Sequence, residues 1–201
     1  MTRRFALTIA AALVLIQSAA FAQQPGRIRG QIDKVDGAAF VLKTRDGALL
    51  NVKLADDVRV SALVKASLAD IKPDSFIGIA GVPEADGSIK AYSIHMFLPA
   101  QRGVVADRHG PWDGPANSTM TNAYVADMVT AKDGEVLTVK YKDGEKKIIV
   151  TPQTGIAAAA PGSKDELVAG AQIVIFAWDK QGDGSVLAKT LYVGRNLVPA
   201  M

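Results

Sequence analysis

From residue 27 onward the chain alternates apolar and polar positions in short runs, and Asp-Gly pairs stand between most of them. In Ala39–Thr44, Phe40 and Leu42 fall on one side and Val41 and Lys43 on the other; Leu137 and Val139 repeat this against Thr138 and Lys140. A period of two with one apolar side is that of a half-buried β-strand. Five such runs follow one another: Arg27–Asp33, Ala39–Thr44, Leu49–Leu54, Phe76–Val82 and Ser88–Met96. Glycine accepts positive φ and aspartate tolerates it, so each Asp-Gly pair predicts a tight hairpin. Runs one and two, two and three, and four and five are therefore expected to be antiparallel neighbours.

The set of runs occurs twice. Asp36-Gly37 returns 97 residues later as Asp133-Gly134, Asp46-Gly47 as Asp143-Gly144, and Asp86-Gly87-Ser88 as Asp183-Gly184-Ser185. Lys43, Ala80 and Ala91 return at the same spacing as Lys140, Ala177 and Ala188. Between the third and fourth runs lies Ser67-Leu68-Ala69-Asp70-Ile71, ended by Pro73, and in the second copy Ser163 to Val168, ended by Gly170. Serine followed three residues on by an acid is the signature of a capped helix start. Three strands, a helix and two strands is the order of an OB-type barrel, and closure removes the exposed edges that an open sheet would leave. The prediction is an all-β chain of two tandem five-stranded OB-like barrels, each with a short helix between strands 3 and 4. The repeats span 23–97 and 123–201, with a structured connector over 98–122. Gly78 and Gly81 are read as places where the sheet coils sharply. Ala157–Ala160 with Pro161-Gly162 is read as a low-complexity loop.

The first residues change the picture of where the chain works. Arg3 and Arg4 precede the apolar run Phe5–Ile16, and Ala20-Phe21-Ala22 is a small-x-small site. That pattern predicts a signal peptide over 1–22, cleaved after Ala22, and a periplasmic or secreted protein. The apolar run is shorter than the roughly 20 residues of a spanning helix, and no transmembrane segment is expected after Gln23. There is no cysteine, so disulfides and thiolate chemistry are excluded. Lys plus Arg number 23 and Asp plus Glu 20. Residues 1–22 hold two arginines and no acid, so the remainder is nearly neutral, 21 against 20. A nucleic-acid partner calls for a basic excess, so none is expected. Lys140, Lys142, Lys146 and Lys147 are interrupted by Asp143 and Glu145 and read as a solvated hairpin.

Ser67-Leu68-Ala69-Asp70-Ile71-Lys72-Pro73-Asp74 and Asp86-Gly87-Ser88-Ile89-Lys90-Ala91 resemble a family of secreted bacterial proteins with OB-like repeats and unknown function, whose pattern runs "sLaDlkpGd" and then "DGs". The family has Gly-Asp where this chain has Asp74-Ser75. The resemblance implies a fold and transfers no catalytic residue. The connector also resembles a stretch, Arg-Gly…His…Pro-Trp-Asp…Ser-Thr-Met-Thr-Asn, of proteins labelled metal-transport related.

The connector carries most of the candidate chemistry. Trp112, between Gly-Pro turns, either buries its ring in the groove between barrels or offers it to a partner. Arg102, His109, Trp112 and Asp113 are the candidate ligand-binding residues. His95, His109 and Met120, with Met96 beside them, are the candidate metal donors, a set that suits copper better than zinc. Asp179-Lys180-Gln181-Gly182-Asp183-Gly184 lacks the twelfth-position glutamate of a calcium loop, where Thr190 stands, and is read as a hairpin turn. No Gly-x-Ser-x-Gly elbow or phosphate-binding glycine loop is present. Asp56-Asp57 and Asp165-Glu166 are read as structural. The functional expectation is a non-catalytic binding or scaffold protein without a cofactor. Its partner would be a small ligand, an envelope glycan or a protein. The alternative is a metal-handling accessory protein, and a third reading, an enzyme acting through Arg102, His109 and Asp113, needs those residues gathered in one pocket.

Overall fold

The computed structural model describes residues 26–131 and 134–199; the predicted signal segment and Asp133 lie outside them. The first copy forms β1 (Ile28–Asp36), β2 (Ala39–Thr44), β3 (Leu49–Lys65), β4 (Phe76–Pro83) and β5 (Ile89–Met96). The connector adds β6 (Arg108–Pro111). The second copy forms β7 (Thr119–Ala131), β8 (Gly134–Tyr141), β9 (Gly144–Val150), β10 (Gly155–Pro161), β11 (Gln172–Lys180) and β12 (Val186–Arg195). The hairpins stand where the Asp-Gly pairs put them: β1–β2, β2–β3, β4–β5, β7–β8, β8–β9 and β11–β12 are all antiparallel pairs. In both "DGs" turns the aspartate accepts the serine amide at 2.9 Å and its hydroxyl at 2.6 Å, Asp86 with Ser88 and Asp183 with Ser185. The calcium-like stretch is thus an ordinary hairpin turn.

The copies do not close on themselves. β1, β2 and β3 join β12 and β11 of the other copy, and β11 returns to β1, which closes a five-stranded ring. β7, β8 and β9 close a second circuit with β5 and β4 of the first copy. In place of one barrel per copy, each ring takes three strands from one copy and two from the other. Their cores confirm the exchange: Phe40, Leu42 and Val52 pack with Ile173, Ile175 and Leu191, and Ile77, Ile79 and Ile94 pack with Leu137, Val139 and Ile148.

The exchange follows from β3. The expected strand ended at Leu54, but the chain runs on as one 17-residue strand to Lys65, with Asp56 and Asp57 at its middle rather than its end. Its second half stays paired with β12 of the same ring, Arg59 opposite Thr190 through Val64 opposite Arg195, and outruns β2, which pairs only as far as Lys53. Pro152 stands where the first copy has Ala55 and breaks the equivalent strand into β9 and β10. β10 contains the four alanines expected to form a loop. It pairs antiparallel with the tail of β3, Ala160 opposite Ala62, and parallel with β5. Small side chains suit this place, because the β3–β10 pair lies between two filled rings.

The segments expected to be helical are single 3-10 turns, Leu68–Asp70 and Lys164–Glu166. The acid of each predicted cap is in place, the Ser67 amide donating to Asp70 at 2.8 Å and the Ser163 amide to Glu166 at 3.0 Å. Only Ser163 accepts an amide with its hydroxyl, from Asp165 at 3.2 Å, whereas the Ser67 hydroxyl donates to Asp70. Three residues are too few to propagate an α-helix. Each turn instead contributes one apolar residue to a core, Ile71 to one ring and Leu167 to the other.

The spacing of 97 slips here. Ile71 and Leu167 are 96 apart, as are the inward-facing Ile77 and Ile173 and the inward-facing Ile79 and Ile175. Ala80 therefore corresponds to Phe176 and not to Ala177. A bulge in β11 between Ile175 and Ala177 restores the spacing of 97. The slip also resolves the Asp74-Ser75 departure. Asp74 adopts φ 64°, and Gly170, 96 residues on, adopts φ 87°. Asp74 thus occupies the left-handed position that glycine fills in the other copy.

Candidate ligand-binding site

The two rings are joined by the antiparallel β3–β10 pair, and the connector packs over one side of the junction. On β4, Ile77 and Ile79 point into the ring, so Phe76, Gly78 and Ala80 form its outer face. Across Gly78 lie His95 of β5 and Asn122 of β7. A Cβ on Gly78 would stand 2.8 Å from His95 Nδ1, so the absent side chain is what admits the imidazole. From the other ring come Phe176 of β11 and Tyr192 of β12. His95 meets Phe97 edge-on at 4.0 Å and Tyr192 at 6.2 Å.

β6 and the start of β7 form an antiparallel ribbon, with His109 opposite Thr121 and Gly110 opposite Met120. Its tip carries Trp112 and Asp113 to the first ring. The Arg27 guanidinium stacks on the Trp112 ring at 3.7 Å. Asp113 accepts from Arg29 Nη2 at 2.9 Å and Nη1 at 3.3 Å, and from the Arg27 amide at 3.2 Å. Burial by itself pushes the Asp113 carboxyl up, but the hydrogen bonds and charges of Arg29 and Arg27 hold it below the usual range. Gln101, from the 3-10 turn Pro99–Gln101, donates to the Tyr192 hydroxyl at 2.6 Å.

A cavity of about 440 Å3 lies between these parts, with Arg27, His95, Arg108, Trp112, Phe176 and Tyr192 in its wall. Six buried side-chain polar atoms among the described residues have no hydrogen-bond partner. Four of them, Arg27 Nε, both ring nitrogens of His95 and Trp112 Nε1, belong to residues of this wall. Buried polar atoms are nearly always partnered, so their concentration at one cavity is informative. His95 is 4% exposed, and burial lowers its pKa to about 3, so the ring is neutral with one donor and one acceptor nitrogen. A larger groove of about 550 Å3 touches the other side of His95, but its lining is mostly apolar and its buried Thr154 hydroxyl is satisfied by the Ala91 carbonyl at 2.7 Å.

The residues singled out from sequence separate into distinct places. Trp112 lines the cavity. Asp113 lies behind it, spent on Arg27 and Arg29. Arg102 points elsewhere, paired with Asp74 at 2.9 Å and set over the Tyr124 ring at 5.5 Å. His109 hydrogen-bonds Thr121 Oγ1 at 2.8 Å and lies 6.0 Å from the Tyr141 ring. Burial and the charge of Lys146 lower its pKa. Of the candidate metal donors, His95 and Met120 reach the cavity and His109 does not. Neighbours on a strand point to opposite faces, and His109 shares its face with Thr121 while Met120 looks the other way. Arg102, His109 and Asp113 are thus dispersed, which removes the enzymatic reading built on them, and Ser118 forms no triad with them. Arg27, Arg108, Phe176 and Tyr192 were not singled out from the sequence. Arg27 and Phe176 sit in ordinary strand runs, and nothing local marks them. No protein family, no curated protein and no solved structure matches this chain.

Proposed function

We propose that this is a non-catalytic binding protein, exported to the periplasm, whose two rings are OB-like barrels and whose ligand is a small molecule held in the cavity between them. The 1-2-3-5-4 strand order of each ring supports the OB-like reading. The observation that carries the function is the set of unpartnered nitrogens on Arg27, His95 and Trp112, three residues that line one cavity. A cavity of a few hundred cubic ångströms with apolar walls and a few convergent polar groups is the usual form of a small-molecule site. A glycan or protein would need an open face, whereas these atoms are buried. The metal reading is weaker on charge: a cation at His95 and Met120 would share the cavity with Arg27 and Arg108, which repel it.

The test is a fragment screen on the intact mature chain by NMR, following the indole N–H of Trp112 and the ring protons of His95. Binding fragments are expected to shift both while leaving the indole N–H of Trp178 unmoved, because that group is tied to the Gly26 carbonyl at 2.9 Å. A diverse library that moves neither Trp112 nor His95 at millimolar concentration overturns the proposal.

A further inference from the structure

We infer that the cavity selects a small aromatic carboxylate bearing a ring hydroxyl; this rests on the binding function proposed above and names its ligand class. Three features of the wall each constrain one part of such a molecule.

The first is charge. Arg27, Arg29 and Arg108 come close enough for Arg29 and Arg108 each to oppose the charge on Arg27. Asp113 is engaged by Arg27 and Arg29. The Arg108 side chain has no hydrogen bond or ion pair among the described residues, and it lines the cavity. Arg108 is exposed at the edge of the cavity, where its guanidinium is free to pair with an anionic group of a guest. A planar carboxylate matches a guanidinium in two parallel hydrogen bonds. One unanswered arginine is also suited to one negative charge rather than to a phosphate dianion.

The second is shape. Phe97, Trp112, Phe176 and Tyr192 supply four rings to one wall. Arg27 is already stacked on Trp112, with Phe176 5.5 Å from its guanidinium. Flat surfaces of this kind favour a flat guest, through offset or edge-to-face contacts.

The third is the neutral histidine. With both nitrogens unpartnered and one protonated, His95 needs a guest that accepts one hydrogen bond and donates another. A hydroxyl does either, and a bare aromatic edge does neither. A buried polar group left unpaired penalises the guest that lacks its complement.

Titration calorimetry of the intact mature chain at pH 7 tests this with four probes: 4-hydroxybenzoate, 4-hydroxybenzamide, benzoate and inorganic phosphate. 4-Hydroxybenzoate is expected to bind at least about tenfold more tightly than each of the others, which corresponds to roughly 1.4 kcal/mol. Arg108→Gln, on an exposed side chain, is expected to reduce the preference for the acid over the amide to about twofold. His95→Phe is expected to remove the preference over benzoate. Equal binding of acid and amide overturns the carboxylate assignment, and equal binding with benzoate overturns the hydroxyl. Phosphate binding more tightly than the aromatics overturns both. Failure of all four probes overturns the ligand class. The binding function itself then stands or falls on whether the fragment screen moves Trp112 and His95.

Discussion

His95 and Tyr192 occupy the same place in the two copies, 97 residues apart, and their rings meet edge-on with centroids 6.2 Å apart and planes at 76°. The contact spans the two rings. β5 and β12 lie in different rings and are brought together by the antiparallel pair β3–β10, which has β12 on one side and β5 on the other. Tyr192 has its hydroxyl satisfied by Gln101, whereas His95 has neither nitrogen satisfied. Two equivalent positions have thus diverged, one to a closed structural contact and one to an open chemical one.

Burying a neutral histidine makes stability depend on pH. The unfolded state takes up the proton near pH 6.5, and the folded ring does so only near 3. A depressed histidine therefore contributes no penalty above about pH 6.5 and an increasing one as the pH falls towards 3. At pH 5 the loss is about 2 kcal/mol. His109 has the same sign, since burial and Lys146 lower its pKa as well. Denaturant melts between pH 7 and 4.5 should show stability falling in the parent chain and a much flatter profile in His95→Phe. His109→Gln should remove a smaller share of the slope. An unchanged slope in His95→Phe contradicts the buried, unpartnered state.

Gly78→Ala should destabilise the chain by about 1–3 kcal/mol through overpacking. Its Cβ would lie 2.8 Å from His95 Nδ1 and 3.2 Å from Asn122 Oδ1. Most of that cost should disappear in the background of His95→Ala, giving a coupling energy in a double-mutant cycle. Additive effects of the two changes would show that the backbone, rather than the imidazole, dictates the glycine.

Asp113→Ala should loosen the connector. It removes the acceptor of Arg29 and of the Arg27 amide and leaves two guanidiniums facing each other. A loss of about 1–3 kcal/mol is expected for a charged acceptor serving partly buried donors. A red shift of Trp112 emission should accompany it, because Arg27 would no longer be held over that ring. The carboxylate's folded pKa is depressed, so this contribution is present above about pH 4 and is lost as the pH falls further.

Thermal unfolding should be a single transition. Neither copy owns a complete ring, so neither can melt alone. Leu42→Ala in one core and Leu137→Ala in the other, both fully buried, should each cost about 2–5 kcal/mol and lower the same transition. Calorimetry resolving two transitions, each moved by one substitution, is the contrary result.

Much of the strand map was legible before any coordinates, because it depends on local chemistry. Asp46-Gly47 and Asp86-Gly87-Ser88 turn the chain by their own φ preferences and side-chain hydrogen bonds. The alternation of Phe40, Leu42, Leu137 and Val139 marks which side of each strand is inward. The site was less legible. Trp112 was recognisable as an aromatic on a turn-rich segment, but His109 beside it was indistinguishable from a cavity residue until the β6–β7 register put it on the opposite face. Arg27 and Phe176 lie 149 positions apart and carry no sign that they share a wall.

What the sequence alone determined was the unit: five strands, their hairpins, the capped turns and the inward residues, all of which follow from interactions between neighbours along the chain. Only the tertiary structure decided which strands close which ring. The last two strands of either copy offer nearly the same inward residues, so pairing preference does not choose between them. The choice falls to the stretch from Leu49 to Lys65, which stays extended alongside β12 instead of folding back, so that the next strand, β4, joins the other ring and the two rings meet where His95 faces Tyr192.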